Sequence, residues 1–118
     1  MDKHFTHLHL HTDYSLLDGA ITIEKLVKFG VNNKLKALAI SDHGNVFGAV
    51  KFFQKAKSAG IKPILGIEAY ITDDAKVKDI NNRYHHLLLL VKNETGYKNL
   101  CKLISYSFKD SSSFAFGV

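Results

Sequence analysis

Short apolar segments recur along this chain about every 25–30 residues, and most of the gaps between them carry apolar residues at helical spacing. In chain order, the pattern predicts strands over 5–10, 37–40, 63–67 and 86–91 and helices over 23–35, 46–59 and 95–108. Strands that alternate with helices in this way are typical of an α/β fold with parallel strands and right-handed crossovers. The chain has 118 residues, so it is at most one small domain and is far short of the roughly 250 residues of a complete (β/α)8 barrel.

Polar and small residues mark where these elements end. Thr22 directly precedes the first predicted helix and suits an N-cap, and Gly60 follows the second helix and suits its C-cap. The stretch 71–84 is rich in Asp, Asn and Lys and indicates a polar loop. Residues 111–118 begin with a run of serines and predict a flexible tail, so the domain is expected over 1–110.

The composition excludes several classes of protein. Hydrophobic residues make up 46% and charged residues 23% of the chain, which is ordinary for a globular domain and not for a disordered one. The net charge of +5 comes almost entirely from lysine, with Arg83 as the only arginine, so we expect a solvated basic surface rather than an arginine-based nucleic-acid interface. No apolar run approaches the roughly 18 residues of a membrane span, the first residues do not resemble a secretory leader, and a single cysteine forms no internal disulfide. These features favour a cytoplasmic location without a membrane partner.

The histidines are unusually clustered: four of the seven fall between His4 and His11. In the predicted first strand His7, His9 and His11 face one side, since alternate residues of a strand share a face. Neighbouring imidazoles on that face are about 7 Å apart and can converge on one metal ion or on adjacent ions. A His-x-His pair by itself fits a metal site and chance about equally well, and a third histidine on the same face also fits packing.

Further imidazole and carboxylate groups come at the ends of the next predicted strands. The residues at the ends of the first three strands and in the loop after the first are His9, His11, Asp18, Asp42, His43 and Glu68. The carboxyl ends of the strands form the functional end of βα folds. Singly, Asp42 is equally suited to cap the following helix, Asp18 to stabilise a turn, and Glu68 to be an exposed strand end. Jointly they predict a site for zinc, manganese or iron.

Six short motifs contain these residues: His-Leu-His at 9–11, Tyr-Ser-Leu-Leu-Asp-Gly-Ala at 14–20, Ser-Asp-His-Gly-Asn at 41–45, Gly-Ala-Val at 48–50, Gly-Ile-Lys-Pro-Ile-Leu-Gly at 60–66 and Glu-Ala-Tyr at 68–70. Together they resemble the PHP (polymerase and histidinol phosphatase) domain family, and more narrowly the PHP domains at the amino terminus of bacterial DNA polymerase III alpha subunits. The segment Thr-Gly-Tyr-Lys-Asn-Leu at 95–100 narrows the resemblance to the polymerases. The resemblance covers residues 3–108.

The resemblance implies a distorted (β/α)7 barrel, of which this chain holds the N-terminal portion with about four strands and three helices. It also implies a metal-dependent phosphoesterase that binds up to three divalent metal ions, which are zinc, manganese or iron. Carried over to this sequence, the implied metal ligands are His9, His11, Asp18, His43, Glu68 and His86. The resemblance assigns catalysis to His9, His11, His43 and Glu68. It makes Asp42 a partner that fixes the neighbouring ligand.

A protein with this resemblance is expected to be part of a replicative DNA-directed DNA polymerase that uses Mg²⁺, and its PHP domain is a candidate 3′–5′ exonuclease. The implied partners are DNA, the sliding clamp and a proofreading exonuclease. The resemblance is also compatible with a domain whose metals are structural and which docks other subunits, and less well with a stand-alone PHP phosphatase. An amidohydrolase barrel also begins with His-x-His, but its other ligands lie much further along its chain.

Two features fit the resemblance less directly. The family's remaining ligands, a cysteine and an Asp-x-His pair, fall beyond residue 118, and Cys101 lies on the apolar face of a predicted helix, as a core residue would. His86 begins its predicted strand, which in a parallel barrel puts it at the end opposite His43 and Glu68. We therefore expect a piece of a longer protein, with a naturally short protein as the alternative. We expect this piece to lack full activity by itself, because metal ligands are missing.

Overall fold

A computed structural model describes residues 5–73, 84–110 and 115–117 of the chain. In chain order the elements are α1 Ile23–Asn32, β1 Ala37–His43, α2 Ala49–Ser58, β2 Lys62–Thr72, β3 His85–Leu90, α3 Glu94–Asp110 and β4 Ala115–Gly117. The predicted α/β class is therefore confirmed, with helices between most of the strands. Within 5–73 and 84–110, no helix is long and apolar enough to cross a membrane.

The strands form a sheet with the order β1-β2-β3. Strand β1 lies parallel to β2, and the pairing ends with His43 opposite Glu68. Strand β3 lies antiparallel to β2, and His86 near its start is opposite Tyr70. The carboxyl end of β1, the second half of β2 and the amino end of β3 therefore meet at one end of the sheet.

The antiparallel direction of β3 corrects the prediction that all strands are parallel. A parallel neighbour needs a crossover of about a dozen residues or more, usually with a helix. The connection between β2 and β3 is rich in Asp, Asn and Lys, as is typical of a loop, and a loop can join antiparallel neighbours without a crossover helix. This reversal explains why His86, although it lies near the start of its strand, comes to the same end of the sheet as Glu68.

The predicted first strand over 5–10 is wrong, because these residues have no strand structure. Leu10 still lies beside β1, and its carbonyl oxygen accepts a 2.8 Å hydrogen bond from the N–H of Ser41. The chain bends at Leu8 and His9. The rings of His9 and His11 lie 5.0 Å apart, so the two imidazoles converge.

Two further boundaries differ from the sequence prediction. Glu68 does not end its strand, because β2 continues to Thr72. The extra length is stabilised by pairing of Tyr70–Thr72 with β4, in addition to β3. Residues 115–117, expected in a flexible tail, form this short strand β4 parallel to β2. The rest of the predicted tail, 111–114 and 118, lies outside the described residues.

The helix ends follow the local chemistry expected of them. The hydroxyl of Thr22 accepts a hydrogen bond from the N–H of Lys25 at 3.3 Å, which confirms the predicted N-cap of α1. Gly60 follows α2 with a φ of +73°, a left-handed conformation that glycine adopts without steric cost. Helix α2 begins at Ala49, three residues later than predicted, after Gly48 as its N-cap.

The helices cover one face of the sheet, and the candidate ligands that the strands carry lie on the other. Apolar residues of α1 and α2 pack against Leu38 and Ile40 of β1. Leu100 and Ile104 of α3 pack against Ile67 and Ala69 of β2. Since alternate residues of a strand face opposite sides, His43, Glu68, Tyr70 and His86 all point away from the helices.

Gly66 provides a test of this sheet, because β3 passes close to it. A Cβ added at Gly66 would lie 2.6 Å from the carbonyl oxygen of Leu89. We expect Gly66→Ala to lower the free energy of unfolding by about 1–3 kcal/mol, since the backbone of β3 must move away. Denaturant titration followed by circular dichroism measures the change.

Gly96→Ala is the matched control, because its added Cβ would meet nothing closer than Asn93 Oδ1 at 3.6 Å. Gly96 lies in α3, where alanine is favoured over glycine by about 1 kcal/mol. Equal unfolding free energies for the two variants would contradict the close β2–β3 pairing at this position.

Candidate metal centre

The carboxylate of Glu68 lies at the centre of a cluster of imidazoles. Its side chain is only 4% exposed, and its Oε2 lies 2.7 Å from Nε2 of His9 and 2.8 Å from Nε2 of His11. Its Oε1 lies 2.5 Å from Nδ1 of His86, and Nδ1 of His43 is 3.6 Å from Oε2. Four histidines from three parts of the chain therefore surround one buried carboxylate.

A second group adjoins the first on the side of His43. Nε2 of His43 lies 2.6 Å from Oδ2 of Asp18, and the rings of His11 and His43 stack at 4.1 Å. His9, His11 and Glu68 form one set whose potential ligand atoms lie within 4.8 Å of one another, and His11, Asp18 and His43 form another. Because the two sets share His11, their centres are adjacent.

All six residues that the sequence suggested as ligands therefore lie in one cluster: His9, His11, Asp18, His43, Glu68 and His86. His86 belongs to neither three-residue set, but it contacts the second oxygen of Glu68. The sheet register places His43 opposite Glu68, and the antiparallel pairing brings His86 opposite Tyr70, two residues further along β2.

Asp42 fixes the segment that carries three of these residues. It is 1% exposed, and its Oδ1 accepts hydrogen bonds from the N–H of Thr12 at 2.6 Å and the hydroxyl of Ser15 at 2.8 Å. Its Oδ2 accepts the hydroxyl of Thr12 at 2.8 Å. The hydroxyl oxygen of Ser15 in turn accepts the N–H of His43 at 3.1 Å. Asp42 therefore joins segment 12–15 to β1.

The alternative interpretation of Asp42 as a helix cap is wrong. Helix α2 begins at Ala49, and its N-cap is Gly48, which makes no side-chain capping bond. Asp42 points to the face of the sheet opposite His43, because neighbouring strand residues alternate. Its bonds to Thr12 and Ser15 make it a partner that positions segment 12–15 beside β1.

The electrostatics of the cluster keep Glu68 ionised. Burial acts to raise the pKa of its carboxyl group, but the hydrogen bond from His9 and the positive charge available on His43, His9 and His86 outweigh that effect. The pKa of Glu68 therefore lies below its usual value. An ionised carboxylate beside several imidazole groups is a donor set that suits a divalent cation.

His11 provides an independent test of whether the cluster fits a metal. Its Nε2 faces Glu68, while its Nδ1 is buried and has no hydrogen-bond partner among the described residues. A buried polar atom without a partner costs about 1–3 kcal/mol. A ring nitrogen left in this condition, beside two sets of converging nitrogen and oxygen atoms, fits a site that binds a metal ion.

Tyr70 is the residue of this site that the sequence interpretation did not identify. Its hydroxyl oxygen lies 2.8 Å from Nδ1 of His43, and its ring makes an edge contact with His86 at 4.9 Å. Burial, followed by the charge of Glu68, raises the pKa of Tyr70 above its usual value. The available signal was its spacing, because residue i+2 of a strand shares a face with residue i.

Asp42→Ala is expected to lower the free energy of unfolding by about 3 kcal/mol, because it leaves the buried donors of Thr12 and Ser15 without an acceptor. Urea titration measures the loss. Asp13→Ala is the control, since Asp13 is an exposed neighbour in the same segment. A loss no larger than that of the control would contradict the role of Asp42.

The chain is similar to one known domain family and to a group of polymerase subunits. The PHP domain family matches residues 7–116. DNA polymerase III subunit alpha of Borreliella burgdorferi is 51% identical over 108 residues, which are 88% of this chain and 9% of that protein. The subunit from Aquifex aeolicus is 50% identical over 93% of this chain. The chain thus spans about a tenth of the length of the curated relatives it matches.

Among solved structures, one described as a candidate metal-dependent phosphoesterase from Bifidobacterium adolescentis has a similar fold. Its TM-score is 0.57 at 22% identity, over 88% of this chain and 34% of that chain. The match through residues 7–116 covers nearly all of the described elements and every residue of the cluster. The chain therefore belongs to the PHP domain family, and its relatives include the alpha subunits of bacterial DNA polymerase III.

Proposed function

We propose that this chain is the metal-binding part of the PHP domain of a DNA polymerase III alpha subunit, and that the domain hydrolyses phosphodiester bonds at the 3′ end of DNA. The observation that carries the proposal is the pair of His and carboxylate sets that share His11. The identity of about 50% with polymerase subunits supports the wider assignment to a DNA-directed DNA polymerase. In that protein the partners would be DNA, the sliding clamp and a proofreading exonuclease.

Each set of side chains offers three ligands for a divalent ion: His9, His11 and Glu68 in one, and His11, Asp18 and His43 in the other. Because a neutral imidazole has one lone pair, His11 would serve one of these two ions at a time. Oε1 of Glu68 and Nδ1 of His86 would offer two ligand atoms for a third ion. Nitrogen and oxygen ligands without thiolate suit zinc, manganese or iron, whereas the polymerase reaction of the parent protein would use Mg²⁺. When bound, such ions supply hydroxide near neutral pH and stabilise negative charge on the phosphate.

The residues of the cluster would have different roles. Glu68, buried and ionised, would balance the charge of ions on both sides of its carboxylate. His9 and Asp18 are about half exposed, at 55% and 56%, so the two sets are open to solvent and to a phosphodiester. Asp42 would keep the segment between them in place through Thr12 and Ser15.

A structural role for the metals is the second candidate. The potential ligands come from segment 9–18 and from strands β1, β2 and β3, so bound ions would add cross-links between this segment and the paired strands. In this case the domain would dock other replicase subunits without hydrolysing DNA. The third alternative, a stand-alone phosphatase, is disfavoured by the relatives, but turnover of a small phosphomonoester would revive it.

We expect the purified chain to bind about one zinc or manganese ion or more, because two ligand sets are already assembled. His11→Ala should bind less metal, since it removes the ligand that both sets share. His7→Ala is the control, because His7 is exposed and lies in neither set. Mass spectrometry of the metal content and the metal-dependent rise in melting temperature measure the difference.

Equal metal content for the two variants would contradict the site. Chelation should lower the melting temperature of the wild-type chain and leave that of His11→Ala nearly unchanged, because a ligand that binds only the folded state stabilises it.

In the complete alpha subunit that the proposal implies, we expect manganese-dependent release of nucleotides from the 3′ end of DNA. The double variant His9→Ala with His11→Ala should lose this activity and retain DNA synthesis, because its changes lie in the PHP cluster. Equal nuclease rates for the two proteins would exclude the catalytic proposal. Such a result, together with a chelator-dependent loss of melting temperature, would favour the structural role.

A further inference from the structure

We propose that Tyr70 is a positioning residue for His43: its hydroxyl group pairs with Nδ1 of that imidazole both without and with a bound metal, and so fixes which ring nitrogen is presented to the metal. The inference rests on the proposed function, since it takes His43 to be a metal ligand. It adds a residue that neither three-residue set contains.

His43 is contacted at both of its ring nitrogens. Nδ1 lies 2.8 Å from the hydroxyl oxygen of Tyr70, and Nε2 lies 2.6 Å from Oδ2 of Asp18. The rings of His43 and Tyr70 are nearly parallel, at 13°, with their centres 5.8 Å apart. The orientation of the imidazole is therefore fixed from two opposite sides.

The position of Tyr70 is itself well determined. It lies in β2 two residues after Glu68, so it shares the face of the sheet that carries the cluster. Its ring packs edge-on against His86 at 4.9 Å and against Tyr84 at 5.5 Å. The oxygen of Glu68 that is nearest to His43 Nδ1 is 3.6 Å away, which is too long for a hydrogen bond. Tyr70 is thus the hydrogen-bond partner of Nδ1 in the described part of the chain.

A hydroxyl group suits this position because Nδ1 needs a hydrogen-bond donor before a metal binds to Nε2 and a hydrogen-bond acceptor afterwards. A neutral imidazole has one N–H group and one lone pair. With Asp18 accepting from Nε2, Nδ1 is an acceptor and the hydroxyl donates to it. If Nε2 instead binds a metal, Nδ1 carries the proton and donates a hydrogen bond to the oxygen of the same hydroxyl group. A carboxylate or an ammonium group could serve only one of the two states.

The experiment compares the full chain as wild type, Tyr70→Phe and Tyr84→Phe, each labelled with ¹⁵N at histidine. Tyr84→Phe is the matched control, because it removes a hydroxyl from the ring next to Tyr70. Competition titration gives the Zn²⁺ affinity, and long-range ¹H–¹⁵N spectra report which nitrogen of His43 carries the proton. We expect Tyr70→Phe to weaken Zn²⁺ binding about 10- to 100-fold and to shift the His43 protonation pattern. Tyr84→Phe should change neither.

The outcomes separate this inference from the proposed function. A loss of Zn²⁺ affinity in Tyr70→Phe that is not additive with the loss in His43→Ala supports the role of Tyr70, since the effects of substitutions at interacting residues do not add. Wild-type affinity and an unchanged His43 spectrum in Tyr70→Phe would overturn the role of Tyr70 and leave the metal centre intact. A wild-type chain that binds no Zn²⁺ would overturn both. A large fall in melting temperature of metal-free Tyr70→Phe would overturn the positioning role in favour of a purely structural one.

Discussion

The buried carboxylate of Asp42 is the constraint on which the rest of the site depends. It accepts three hydrogen bonds from Thr12 and Ser15, and it is fixed in turn by its place in β1. The segment that it holds has almost no secondary structure, with a single bridge between Thr12 and Ile21. Leu10 also bonds to Ser41 of β1, through its carbonyl oxygen at 2.8 Å and its N–H at 2.9 Å. A short, irregular segment is thus held by the buried carboxylate of Asp42 and by these two bonds rather than by a sheet ladder.

The second constraint is the direction of β3. Because β3 runs antiparallel to β2, its first residues lie at the same end as the last residues of β1. The alternation of side chains then places Glu68, Tyr70 and His86 on one face, and the helices cover the other. The part of the cluster that the strands carry, His43, Glu68, Tyr70 and His86, therefore arises from two simple properties of a sheet, its register and its side-chain alternation.

Much of this arrangement was accessible from the chain itself. The N-cap at Thr22, the left-handed glycine that follows α2, the helices and the strand over 37–40 followed from local spacing and local chemistry. The site residues were identified because imidazoles and carboxylates followed successive strands, and because their motifs resembled one family. The wrong prediction of a strand over 5–10 has a local cause. Leu8 and Leu10 alternate with His7 and His9 as in a strand, but the sequence pattern cannot show that the chain bends at Leu8 and His9.

What the sequence determined by itself was the chemistry and the local structure: the α/β class, the helix ends, and the set of nitrogen and oxygen groups that suit a divalent metal. Those properties depend on residue type and on spacing along the chain. Only the tertiary structure decided that β3 is antiparallel, that Glu68 lies inside β2 with four histidines around it, and that Tyr70 contacts His43. Those properties depend on pairing between residues distant in sequence, and local patterns carry no information about register or strand direction.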